Sequence, residues 1–211
     1  MPHLVLIGDS VFDNGAYTQG GPTVIEQVSS ALPQGWSATL QAIDGSTTED
    51  VPAQLEVLPE DTSHLVLSVG GNNALLRADV LQTPVATSGE ALLLLAQAAN
   101  DFEASYRGIV SVILSKGVPL VVCTIYHGNF PEAGYQACVA VALCAFNDVI
   151  IRVAAEHGLK VIDLRRICVQ PSDYANPIEP SSQGGQKIAS AIAKAVAEET
   201  PVLRGAYVVA A

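Results

Sequence analysis

Ser10 stands directly after Gly8-Asp9, where the uninterrupted apolar run Leu4 to Ile7 gives out. Such a run reads as a parallel strand buried on both faces, so a carboxylate and a hydroxyl arrive where the strand ends. A serine so placed is a candidate nucleophile. Acyl transfer would further require a base, and donors aimed at the carbonyl oxygen as it becomes an oxyanion. Donors are available in the N–H of Ser10 itself, the N–H of Gly45 in Asp44-Gly45-Ser46, and the side-chain amide of Asn72 in Gly70-Gly71-Asn72-Asn73. Glycine at 45 lets a backbone N–H approach a substrate with no Cβ in the way. Further polar loops hold Tyr126-His127-Gly128-Asn129 and Asn176-Pro177-Ile178-Glu179.

The elements that must position these residues follow from hydrophobic patterning. Extended apolar segments are expected at 3–7, 36–43, 64–69, 118–124 and 159–163, with helical patterns between them. The first helix should start at Pro22, the second near Thr47-Thr48 with a capping box to Asp50, and the third at Ser88, running to Gly117. The fourth should open at Pro131 and stop at His157-Gly158, and the last should be capped by Ser181 or Ser182. Alternating strands and helices imply an α/β fold: a three-layer α/β/α sandwich with a flavodoxin-like, parallel, five-stranded sheet. In such sheets ligands bind beyond the carboxyl ends of the strands, and that rim is where the polar and glycine-rich loops collect.

The whole chain, 1–211, reads as a single domain, with 200–211 an apolar tail able to pack on a neighbouring face or a second subunit. Acidic residues outnumber basic ones 21 to 10, a formal charge of −11 that would repel a polyanion, so nucleic acid is not an expected partner. The start lacks the basic and apolar regions of a secretory signal, and no uncharged apolar run reaches membrane-spanning length, so stable membrane insertion is not expected. The four cysteines lack CxxC spacing and sit in apolar contexts, which suits buried thiols in a cytoplasmic protein. GxGxxG, GxxxxGK[ST], HExxH and GxSxG are all missing, and a magnesium site built from Asp9, Asp13 and Asp163 would lack a basic residue near Asp9 to hold phosphate.

Gly8-Asp9-Ser10 after the first strand, a glycine after the second, Gly70-x-Asn72 after the third and a "PSxxGGxKIA"-type segment opening the last helix together resemble the four blocks of the SGNH (GDSL-type) hydrolases. The resemblance spans nearly the whole chain. It implies Ser10 as nucleophile, Gly45 and Asn72 as oxyanion donors, no cofactor or metal, and hydrolysis of a small-molecule acyl ester. The chain departs from the family at one chemically serious place. Family members carry Asp-x-x-His before the last helix, whereas this chain has Asn176-Pro177-Ile178-Glu179. Asn73 also replaces a common aspartate, and Val11 a leucine.

An unperturbed glutamate, with a pKa near 4.3, is a weak base at neutral pH; burial or a neighbouring carboxylate would raise it. Asp173 is the candidate to share a proton with Glu179, and Asn176 the candidate to orient it by a hydrogen bond. Three readings follow: an esterase with Glu179 as base, an esterase with His127 as base, and a binding protein that has lost turnover. Asn73, His127 and Asp13 are further candidates for touching substrate, while Asp9 is assigned a structural role in its loop. Ser10 as helix cap and Glu179 as dipole-stabilising carboxylate are the structural alternatives. With no lid-like insertion, small or short-chain esters are the expected substrates. Oligomerisation stays open.

Overall fold

The computed structural model describes residues 1–197 and 207–209. Its sheet is parallel throughout, in the order β2-β1-β3-β4-β5-β6. The strands are β1 (His3–Gly8), β2 (Ser37–Leu40), β3 (His64–Ser68), β4 (Leu120–Cys123), β5 (Lys160–Ile162) and β6 (Tyr207–Val209). The first five are those expected. β6 was not, and it extends the sheet from a tail segment in the register Lys160↔Tyr207 to Ile162↔Val209; the rest of the expected tail lies outside the described residues.

Successive side chains along a strand point to opposite faces, and the core divides accordingly. Leu4, Leu6, Val66 and Ile162 face one layer, where they meet α1 (Val24–Ala31) and α6 (Ser182–Ala197). Val5, Ile7, Leu67 and Val122 face the other, made by α2 (Val51–Glu56), α4 (Ser88–Ser115) and α5 (Ala133–His157). A short α3 (Gly71–Leu75) follows β3 directly.

Several boundaries move for local reasons. α1 begins after Thr23, whose hydroxyl and the Glu26 carboxylate form a capping box, and α4 is capped by Thr87, one residue before the expected Ser88. Thr47 and Asp50 do pair, at 2.8 Å, but as a turn; the helix begins only at Val51. β2 ends at Leu40 because the N–H groups of Gln41 and Ala42 both turn onto the Leu6 carbonyl, which breaks the ladder. All four cysteines are free, yet Cys138 and Cys144 are exposed on α5 and only Cys123 and Cys168 are buried as expected. By length and composition α5 is apolar enough to cross a bilayer, although Asp148 and Arg152 interrupt its uncharged run; here Phe146, Val149 and Ile150 pack into the core beneath it.

Two features fix the neighbourhood of Ser10. Gly8 has a φ of +126°, and a Cβ there would lie 1.8 Å from the Ser68 carbonyl oxygen, so only glycine lets β1 end this close to β3. α4 and α5 are joined in their lower halves: Phe102 stacks on Phe146 at 5.2 Å, and Glu103, Arg107, Arg152 and Glu156 form a continuous ion-pair network.

Candidate active site

Ser10 is buried at the end of β1, where the N–H groups of Phe12 and Asp13 both donate to the Asp9 carbonyl and curl the chain into a single turn. Among the described residues no acceptor takes the Ser10 N–H, which leaves it available to a ligand. The loop after Ser10 is tied across the rim by the buried Asn14, whose amide donates to the Pro180 carbonyl at 3.3 Å while its oxygen receives the Val24 N–H at 2.9 Å. Glu179 precedes Pro180, so this tie brings the two candidate residues to one mouth.

The Glu179 carboxyl is buried, and its Oε2 has no hydrogen-bond partner among the described residues. Burial raises its pKa; the facing Ser10 hydroxyl pulls the other way, and the Asp44 charge adds to the rise. The Ser10 hydroxyl is thus within hydrogen-bonding reach of the Glu179 carboxyl. The backbone beneath Glu179 is rigidly held. Asn176 Oδ1 accepts the N–H groups of Ile178 and Glu179 at 2.9 Å each, and the Tyr126 hydroxyl donates to the Ile178 carbonyl at 2.6 Å. Asn176 therefore acts on the loop backbone, not on the carboxylate as the sequence suggested.

Asp9 carries an electrostatic property that sequence reasoning missed. Burial pushes its carboxyl up to about 7, against the Val11 N–H that it accepts at 3.1 Å, and the Glu179 charge pushes the same way as burial. The two carboxyls are thus electrostatically coupled, each charge opposing the other across the mouth of the site.

The donor side is assembled by Gln54, also unforeseen. Its buried amide receives the Gly8 N–H at 2.7 Å and donates to the Gly8 carbonyl at 2.8 Å and to Ser46 Oγ at 3.2 Å, coupling the turn at Ser10 to the turn at Gly45. The only advance signal was a glutamine on the inward stripe of a short helix. Gly45 sits in that second turn with a φ of +82°, as the Ser46 N–H closes onto Ile43. Asn72 donates one amide N–H to the Ser46 carbonyl at 2.9 Å, and it lines the same cleft as Ser10 and Glu179. Gly45 does not itself line that cleft.

Three other candidates lie apart from this cluster. Asp173 is fully buried, but the Lys187 ammonium stands 2.7 and 2.9 Å from its two oxygens, and the N–H groups of Val169 and Gln170 also donate to it. Its carboxylate is paired with Lys187 of α6, and no side-chain hydrogen bond joins it to Glu179 among the described residues. Asn73 is bound to Thr48 and Glu49, and Asp13 accepts the Asp44 N–H at 3.0 Å, so both brace loops instead of facing a ligand. His127 does line the cleft, where burial, followed by the nearby Arg165 charge, lowers its pKa and keeps the imidazole neutral; Asp163 opposes this.

The cleft holds about 970 Å³, counting the space open to solvent at its mouth. It runs from Asp9, Ser10, Asn72 and Glu179 into the gap between the upper halves of α4 and α5, where its walls are largely aliphatic and aromatic. The Ser10 hydroxyl, the Glu179 carboxyl and the Asn72 amide thus line one cleft beside an apolar groove.

The model of the GDSL-like lipase/acylhydrolase family matches residues 6–187. Among solved structures, the chain is similar to an extracellular lipase from Streptomyces rimosus, with 20% identity, a TM-score of 0.68, and coverage of 92% of this chain and 100% of that one. A lipase from a goat rumen metagenome matches with 16% identity, a TM-score of 0.71 and coverage of 92% and 97%. The acetylxylan esterase Axe2 of Geobacillus stearothermophilus matches with 18% identity, a TM-score of 0.62 and coverage of 94% and 95%. No curated protein sequence matches the chain. At these identities the structures speak for a shared fold, while the family match extends across all the loops that converge on Ser10: the chain belongs to the GDSL-like lipase/acylhydrolase family of ester hydrolases.

Proposed function

We propose that the protein hydrolyses acyl esters through an acyl-enzyme on Ser10, with Glu179 in the place the family gives to histidine. Ser10 Oγ attacks the ester carbonyl while Glu179 accepts its proton. The oxyanion is received by the N–H group of Ser10 and the free amide hydrogen of Asn72, the two donors that line the cleft. Collapse breaks the ester C–O bond, and Glu179 returns the proton to the departing alcohol. Water, deprotonated by the same carboxylate, then attacks the acyl carbonyl and releases the acid with Ser10 restored.

The observation that carries this reading is the Ser10 hydroxyl set against the buried Glu179 carboxyl. A carboxylate whose pKa is raised by burial is a better base than a solvated one, since efficiency depends on the base's own proton affinity. Glu179→Gln keeps the shape and removes the base, so kcat on a short acyl ester should fall by roughly a hundred- to ten-thousand-fold. Ser10→Ala should abolish Ser10-dependent turnover. Retention of near-normal kcat by Glu179→Gln would refute the assignment.

A second reading has one observation in its favour: His127 lines the same cleft and is held neutral, the form in which an imidazole accepts protons. A large loss in His127→Gln with Glu179→Gln unaffected would transfer the role of base to it.

A further inference from the structure

Taking Ser10 as the site of acylation, we infer that the apolar gap between the upper halves of α4 and α5 is a binding channel for a linear acyl chain of medium length. One wall is α5, where Tyr135, Val139, Leu143 and Phe146 recur at spacings of four, four and three and so share a face. Opposite them stand Leu95 and Ala98 of α4, one turn apart on the same face. Leu143 and Phe146 are buried and close the channel on their side.

The chemistry of the walls selects the occupant. Away from Asp9, Glu179 and His127, the only charged wall residue is Arg77, and its guanidinium is already engaged by Asp101 at 3.1 Å. A sugar or a charged acyl group would leave its hydroxyls or charge unpaired there, whereas methylenes lose water at no polar cost. The exposed Leu75 and Leu92 continue the apolar surface at the mouth, Leu92 lying one helical turn above Leu95.

Length follows from the helix. Tyr135 to Phe146 spans roughly 16 Å at 1.5 Å per residue, and at about 1.25 Å per carbon of an extended chain this wall covers an acyl group of up to roughly twelve carbons. The short-chain expectation rested on the missing lid; here the facing walls of two long helices form the channel without one.

The test is a series of 4-nitrophenyl esters from acetate to dodecanoate, kept below micellar concentration, alongside acetates of alcohols of the same lengths. kcat/KM should rise with the acyl chain, by up to about four-fold per methylene, and level off between octanoate and dodecanoate. The alcohol series should stay flat. Val139→Trp and Leu95→Trp fill the channel from opposite walls, and each should lower the decanoate-to-acetate ratio by about ten-fold or more. Binding of neutral N-methyl amides to the unmodified protein, followed by calorimetry, reads the channel without turnover: N-methyldecanamide should bind more tightly than N-methylbutanamide. Tighter binding of the longer amide in a protein with no esterase activity would sink the proposed hydrolysis and leave the channel standing. Ester hydrolysis with no preference for longer acyl groups, a chain-length response confined to the alcohol side, or equal binding of the two amides would each overturn the channel.

Discussion

Replacing Asp9 with asparagine isolates the energetic cost of a buried charge next to the candidate nucleophile. The Asp9 carboxyl is raised from 3.8 to about 7, chiefly by burial, so between those values the folded protein keeps a proton that the unfolded chain has already lost. Stability therefore carries no penalty from this group below about pH 4, loses ground as pH rises, and bears the full cost above about pH 7. Carrying a carboxyl from 3.8 to about 7 corresponds to about 4 kcal/mol. The asparagine side chain keeps the oxygen that accepts the Val11 N–H, so any strain from its amide is a constant offset that leaves the pH slope untouched. Glu179, also raised, slopes in the same direction in both proteins, and only their difference is informative. Urea unfolding from pH 4 to pH 8 should show Asp9→Asn gaining about 4 kcal/mol on the parent, or a midpoint shift near 2 M at a slope of about 2 kcal/mol/M. A stability difference that stays constant within about 1 kcal/mol over that range would show that burial does not control this carboxyl.

Two further substitutions test the supports of the site. Gln54→Leu strands the buried Gly8 N–H and leaves the Gly8 carbonyl with only the Ile43 N–H, and should cost about 1–3 kcal/mol in urea melts while lowering kcat more than it changes KM. Lys187→Met leaves the fully buried Asp173 carboxylate without its cation and should cost about 3 kcal/mol at pH 7; thermal melts of a Lys187→Met, Asp173→Asn pair should recover part of that loss.

The strand ends and the loop order were legible because they depend on local pattern: Leu4 to Ile7 is apolar on both faces, and a parallel sheet buries both. The roles of carboxylates were less legible, because they are set by partners remote in sequence. Asp173 looked like a proton-sharing neighbour of Glu179 until Lys187, one helix later, came to lie against it. Asn73 resembled a rim residue, but its partner Thr48 arrives from another strand's loop. Asp9 was assigned to its loop correctly as an acceptor of the Val11 N–H, yet its proton affinity depends on burial under elements that no spacing rule describes. Gln54 needed the three-dimensional meeting of two turns to acquire a purpose. The sixth strand was missed because its three residues pair only with β5, far upstream.

The charged lattice of Glu103, Arg107, Arg152 and Glu156 lies on the solvent side of α4 and α5, below the aromatic contact of Phe102 with Phe146. It braces the two helices against each other from outside, so the spacing of the walls beside the cleft and the burial of the sheet rest on different kinds of contact. High salt, which weakens exposed ion pairs, should therefore act on that brace and leave the apolar packing beneath it intact.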